Sequence, residues 1–278
     1  MVYPTVCALI LLAAVLRFPC LDRLPPGLYH DEAYNGLDAI AINEGHHAIF
    51  FPANNGREPL YIYLVSLTIR VFGRTPVGIR AASAVLGTLL VPLVFVLGRE
   101  MFDKRVGLWA ALLATPHVWL LCLSRIGFRA GSLAVVAAAG LALLWRAQKT
   151  RQWRWFALSG VLLGLTQYTY VAARFVPIAL GLGLLLSYRC WQGLGRHLLL
   201  FLACMALVVF PLAIYAFNNP EAFFARPRQV SVFNLAVHQG RLIALLANQT
   251  VRYLQSFFLV GDVNPRHNVP GRPMLDIC

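Results

Sequence analysis

The chain is 278 residues long and carries a formal net charge of +13, yet 59% of it is hydrophobic and only 13% charged. A soluble domain carries about 25% charged residues, so there is too little polar surface here for a water-facing fold, and a mean hydropathy of +0.67 agrees. The basic residues form no stripe with interleaved aromatics, which argues against a nucleic-acid partner; they sit at the ends of apolar runs.

Residues 2–18 read as an uncleaved first span, because no basic region precedes the apolar run and no clear small-residue cleavage site follows it. Six further runs approach the ~20 residues that a spanning helix requires: 77–97, 106–123, 128–147, 155–171, 175–188 and 197–217. The run at 59–73 is ambiguous, since its apolar part holds only about a dozen residues before Arg70. If it spanned, the most basic loop, with Arg146, Lys149, Arg151 and Arg154, would lie outside. Laid in the interface, it leaves that loop and Arg99, Lys104, Arg105, Arg189 and Arg196 in the cytoplasm, as the positive-inside rule asks.

The expected architecture is an all-α polytopic membrane protein of about seven spans. Residues 1–217 form the transmembrane core, with a first outward loop at 19–76. Residues 218–278 form an extracytoplasmic loop in which Leu242, Leu245, Leu246, Tyr253 and Phe257 suit an interfacial helix. The ending "PGRPMLDIC" reads as the approach to another span, so the chain is expected to be the N-terminal part of a longer protein. The six cysteines form no CxxC pair and read as small hydrophobes.

Acidic residues are concentrated in one place. Six of the 11, Asp22, Asp31, Glu32, Asp38, Glu44 and Glu58, lie between residues 22 and 58, with only Arg23 and Arg57 for company. The later outward loops carry Arg125, Arg129, Arg174, Arg226, Arg228, Arg266 and Arg272. A carboxylate can take a proton from a hydroxyl, and arginines can hold a phosphate by forked, charge-assisted hydrogen bonds. A structural reading stands beside this one. Asp31 can cap a short helix over 32–44, and Arg125 and Arg129 can anchor helix ends at the interface. His30, His46 and His47 show no fixed ligand spacing, so no cofactor is assigned and a divalent metal stays open.

The blocks "HDEAYNGLDA", "GREPLYIYL", "GIRAASAVLGTLLVPLVFVLGREMFDKRVGLWAALLATP" and "SRIGFRAG" follow one another in order. Over residues 3–147 the chain resembles the GT-C membrane glycosyltransferases, specifically the dolichyl-phosphate-mannose protein mannosyltransferase-like group. That group includes the bacterial enzymes that add aminoarabinose to lipid A. The resemblance implies a GT-C-like helix bundle with juxtamembrane helices in the first outward loop. It also implies a transfer from a polyprenyl-phosphate-linked sugar to a protein, lipid or glycan acceptor, at the outer face of a bacterial plasma (inner) membrane. Asp31 and Glu32 would be catalytic, Asp31 as general base, with Tyr29, Arg57, Glu58, Arg125 and Arg129 around substrate and phosphate. Two departures stand out. Arg57-Glu58-Pro59 replaces the family's "HPP" or "EKP", and the loop "SRIGFRAG" has no acid for a second carboxylate role. A transporter or flippase of a lipid-linked substrate is the competing class. It would favour repeated halves and charges at mid-membrane, whereas here the acids gather at one surface.

Overall fold

In the computed structural model, which describes residues 2–234, 237 and 239–275, the apolar runs become helices and no strand forms among those residues. The helices are α1 (Val2–Arg17), α2 (His30–Asn43), α3 (Leu60–Phe72), α4 (Pro76–Met101), α5 (Lys104–Ala114), α6 (Val118–Arg125), α7 (Ala130–Thr150), α8 (Trp153–Leu165), α9 (Val176–Leu186), α10 (Gly195–Asn218), α11 (Pro220–Val230) and α12 (Leu242–Phe258). Short 3₁₀ turns at Thr166–Tyr168, Val171–Phe175 and Tyr188–Trp191 join α8, α9 and α10.

Helix α4 is the spine. Pro76 opens it with its φ already set for a helix, and the Thr75 hydroxyl accepts the Gly78 amide at 3.2 Å. Helices α1, α3, α5, α6 and α7 all pack on it. Small residues permit the closest of these contacts: a methyl group added at Gly98 would lie 2.8 Å from the Gly107 Cα on α5. Around α4, Ala39, Ile42, Tyr61, Ile62, Val65 and Ile79 form one core that locks α2 and α3 onto it. A second core, with Leu144, Phe156, Leu163 and Phe201, joins α7, α8 and α10.

Among the described residues three helices, α4, α7 and α10, are long and apolar enough to cross a bilayer. They coincide with the runs expected at 77–97, 128–147 and 197–217. The run at 106–123, expected to be continuous, is instead broken into α5 and α6, bent by 62°. Pro116 stands in the break; it has no N–H to donate and its ring would clash with the preceding turn. Helices α1 and α3 and the segment Val171–Leu186 are apolar but shorter. At 13 residues α3 is about 20 Å long, against a hydrocarbon core of about 30 Å. Helix α12 forms over the segment expected to carry an interfacial helix. The ending expected to lead into a further span falls partly on residues 276–278, outside the described residues.

Candidate active site

Arg80, fully buried on α4, organises the segment before α2. Its guanidinium donates to the carbonyls of Leu21 (2.9 Å), Pro25 (2.8 Å) and Gly27. It also pairs with Glu32, Nε to Oε1 at 2.9 Å. Glu32 accepts two amides besides, Gly127 at 2.7 Å and Tyr29 at 2.9 Å. A buried carboxylate survives only when paired and hydrogen-bonded, and Glu32 meets both conditions. It thereby stitches the start of α2 to α4 and to the turn between α6 and α7.

The start of α2 departs from expectation. The helix begins at His30 with Tyr29 as its N-cap residue, and Glu32 reaches back to the Tyr29 amide. Asp31 is therefore not the cap. It occupies the first turn, where helix geometry turns it away from its buried neighbour, and its carboxylate is taken up from across the fold. Oδ1 accepts the Asn54 side-chain amide at 2.6 Å, and Oδ2 pairs with Arg266. His30 Nδ1 stands 3.7 Å from Oδ1. The loop that delivers Asn54 carries positive φ at Asn54, Asn55 and Gly56 in succession, a conformation that asparagine and glycine tolerate best. Burial raises the Asp31 carboxyl, but the hydrogen bonds from Asn54 and Arg266 and the charge of Arg266 outweigh it. The net position is below the usual carboxylate range, so the group is ionised at neutral pH.

Two cavities meet at Asp31. One, of about 360 Å³, is largely apolar and is walled by Pro26, Leu28, Tyr29, Ile126 and Phe128. The other, of about 230 Å³, is polar and cationic, with Arg129, Arg226, Arg266, His267, Tyr170 and Asn55 on its walls. Asp31, Phe128 and Arg266 line both. Arg226 arrives on α11, which an aromatic cluster of Phe50, Tyr215 and Phe223 holds against the segment between α2 and α3. Arg129 pairs with buried Glu58 at 2.8 Å, and Arg174 approaches the same carboxylate at 3.6 Å. Arg57 is buried; it pairs with Asp38 and donates to Asn35 Oδ1 at 3.1 Å.

The expected residues thus divide. Asp31, Glu32, Tyr29 and Arg129 border the two cavities, and Glu58 holds Arg129 in place. Arg57 is tied up beneath them. Arg125 is not brought to this site: it donates to the carbonyls of Leu16, Arg17 and Pro19 at 3.2, 3.2 and 2.7 Å, satisfying the otherwise open C-terminal end of α1. Arg80, Asn54, Arg266 and Tyr170 were not assigned from sequence. Arg226 and Arg266 stood out there only as outward basic residues.

The donor set around Asp31 does not suit a divalent cation. Its carboxylate is held by a guanidinium and an amide, and Arg57 and Arg129 lie within electrostatic reach of it. Among the described residues no three His, Cys, Asp or Glu side chains converge.

The dolichyl-phosphate-mannose-protein mannosyltransferase profile matches residues 55–215, more than half of the chain. The chain belongs to that family. As a family member with several apolar helices it is an integral membrane protein. ArnT from Cupriavidus metallidurans, solved bound to undecaprenyl phosphate, shares the fold with a TM-score of 0.65 at 18% identity, over 92% of this chain and 52% of ArnT. The oligosaccharyltransferase of Archaeoglobus fulgidus is similar in two structures. One, tethered to an acceptor peptide containing the NVT sequon, has a TM-score of 0.53 at 16% identity, over 92% of this chain and 38% of that one. The other, in complex with Zn and sulfate, has 0.52 at 18%, over 90% and 40%. At these identities the likeness is one of fold, and the fold is the expected GT-C helix bundle. This mannosyltransferase-family chain spans about half the length of ArnT and about two fifths of the oligosaccharyltransferase. No curated protein matches its sequence at a significant level.

Proposed function

We propose that this chain carries the catalytic site of an integral membrane glycosyltransferase that moves a sugar from a polyprenyl-phosphate donor to an acceptor hydroxyl. One observation carries the reading: an ionised carboxylate, Asp31, stands where a cationic cavity meets an apolar one. Asp31 takes the acceptor proton, and the acceptor oxygen attacks the anomeric carbon from the face opposite the phosphate. The bond from that carbon to the phosphate oxygen breaks, and the electron pair leaves with the polyprenyl phosphate. This is a single displacement with inversion. Arg129, Arg226 and Arg266 supply charge where the leaving phosphate develops its own, and the two cavities hold the partners in line. Glu32 orients Asp31 through the backbone of α2 and does not touch substrate. Family membership and a GT-C neighbour bound to undecaprenyl phosphate support the donor class.

The positive-inside distribution supports a seven-span topology with residues 1–217 as the core, the basic loop at 146–154 in the cytoplasm and the site facing outward, as in a bacterial plasma membrane. The test is transfer from a polyprenyl-phosphate sugar in proteoliposomes by wild type and Asp31→Asn. Loss of a general base lowers kcat by roughly 10²–10⁴. A folded Asp31→Asn protein with full activity removes Asp31 from the mechanism.

A further inference from the structure

Building on Asp31 as the base, we propose that Arg266 is a donor-operated gate, which blocks Asp31 until a lipid phosphate draws it into the cationic cavity. Three features of the structure carry this.

The first is position. The Arg266–Asp31 pair lies between the two cavities and lines both, so it partitions them. The guanidinium rests 3.7 Å from the Tyr29 ring centroid and 5.9 Å from that of Phe128. It therefore has two aromatic faces to slide along, and cation–π contacts tolerate such movement.

The second is the division of labour on the carboxylate. Arg266 holds Oδ2, whereas Asn54 holds Oδ1 at 2.6 Å. Withdrawal of Arg266 bares one oxygen for an acceptor hydroxyl, and Asn54 keeps the carboxylate aimed.

The third is the mounting. Arg266 belongs to the segment after α12, which is closed by its own hydrogen bonds. Gly261 N–H donates to Gly271 O and Gly271 N–H to Asp262 O, both at 3.1 Å, and the Asn268 amide donates to Arg272 O at 2.6 Å. The backbone at Arg266 is also fixed by its N–H to Asn264 Oδ1, 3.1 Å. Only the side chain has to rotate. A guanidinium matches a phosphate by a two-pronged bond, and Arg129 and Arg226 already face the cavity into which it would turn.

The consequence is an ordered reaction. Donor binds first, opens the partition and frees the base; an acceptor arriving alone meets a carboxylate occupied by Arg266.

In Asp31→Asn the gate makes binding and turnover change in opposite directions. Full-length wild type, Asp31→Asn and Arg266→Gln, each in lipid nanodiscs, are titrated with undecaprenyl phosphate. Asp31→Asn releases Arg266 and binds about threefold or more tightly than wild type, the scale of one part-exposed ion pair. Arg266→Gln binds roughly tenfold or more weakly, as expected for loss of a charge-assisted bond. Asp31→Asn binding equal to or weaker than wild type overturns the gate. If Asp31→Asn abolishes transfer without tightening binding, only the gate falls; if it leaves transfer intact, the base assignment itself falls.

A second readout does not depend on the folding of Asp31→Asn. In the free enzyme Asp31 is faced by Arg266, His30, Arg57, Arg129 and His267, with Arg226 on the wall of the same cavity. Removal of the Arg266 charge raises its carboxyl. The acid limb of kcat/KM for donor, which reports the free enzyme, then moves to higher pH in Arg266→Gln. The acid limb of kcat, measured with donor bound, stays where it is. An unmoved kcat/KM limb, or a kcat limb that moves with it, overturns the gate, because a merely structural Arg266 would stay on Asp31 with donor bound and its loss would shift both.

Discussion

Glu32 accepts four hydrogen bonds, two from Arg80 and one each from the amides of Tyr29 and Gly127, with almost no exposure to solvent. Its neighbour Asp31 faces two cavities. Successive residues on a helix point about 100° apart, so an adjacent acidic pair delivers one carboxylate to the core and one to the site. Breaking a buried pair strands the remaining charge and costs about 3–5 kcal/mol. Glu32→Ala is therefore expected to lose that much stability, read as a lower thermal midpoint in detergent, with transfer falling through misplacement of α2. An unchanged midpoint would show that Arg80 is satisfied by its carbonyl partners alone. The adjacent acids were legible in sequence as a candidate pair. Their division into anchor and base was not, because it depends on Arg80, which the sequence presents as one more basic residue in an apolar helix.

At the scale of elements, hydrophobic run length located α4, α7 and α10 well, since a long apolar run has few alternatives to a helix in lipid. It did less well where the chain bends. Pro116 was visible, but residue pattern does not say whether a proline kinks a span or divides it. The start of α2 lies two residues before the expected one, because Asp is the commoner cap whereas the fold uses Glu32 to satisfy the Tyr29 amide. Topology remains the proposal with the most direct element-level check. In a cysteine-free background, Asn54→Cys is expected to react with an impermeant maleimide on intact cells. Arg151→Cys, in the basic turn between α7 and α8, is expected to react only after permeabilisation. Labelling of Arg151→Cys from outside would invert the assignment and place the Asp31 site in the cytoplasm.

For the molecule as a whole, the site is a gathering of segments far apart in the chain: the start of α2, the Asn54 loop, the α6–α7 turn, α11 and the segment after α12. Arg266 reaches Asp31 across 235 positions. The sequence displayed the acidic loop and the outward arginines as two separate sets, and charge complementarity made their meeting reasonable. Which arginine meets which acid is decided by packing. Arg125 goes to the end of α1, Arg57 to Asp38, and Arg129 to Glu58 and the cavity, although all three looked alike as candidates. The proposed mechanism turns on where a lipid phosphate settles among them. A structure of the full-length protein in nanodiscs with undecaprenyl phosphate settles this directly. The phosphate is expected within hydrogen-bond reach of Arg266 and in the cavity of Arg129 and Arg226, with the Asp31–Arg266 pair opened. A phosphate held outside that cavity, with Arg266 still on Asp31, would contradict it.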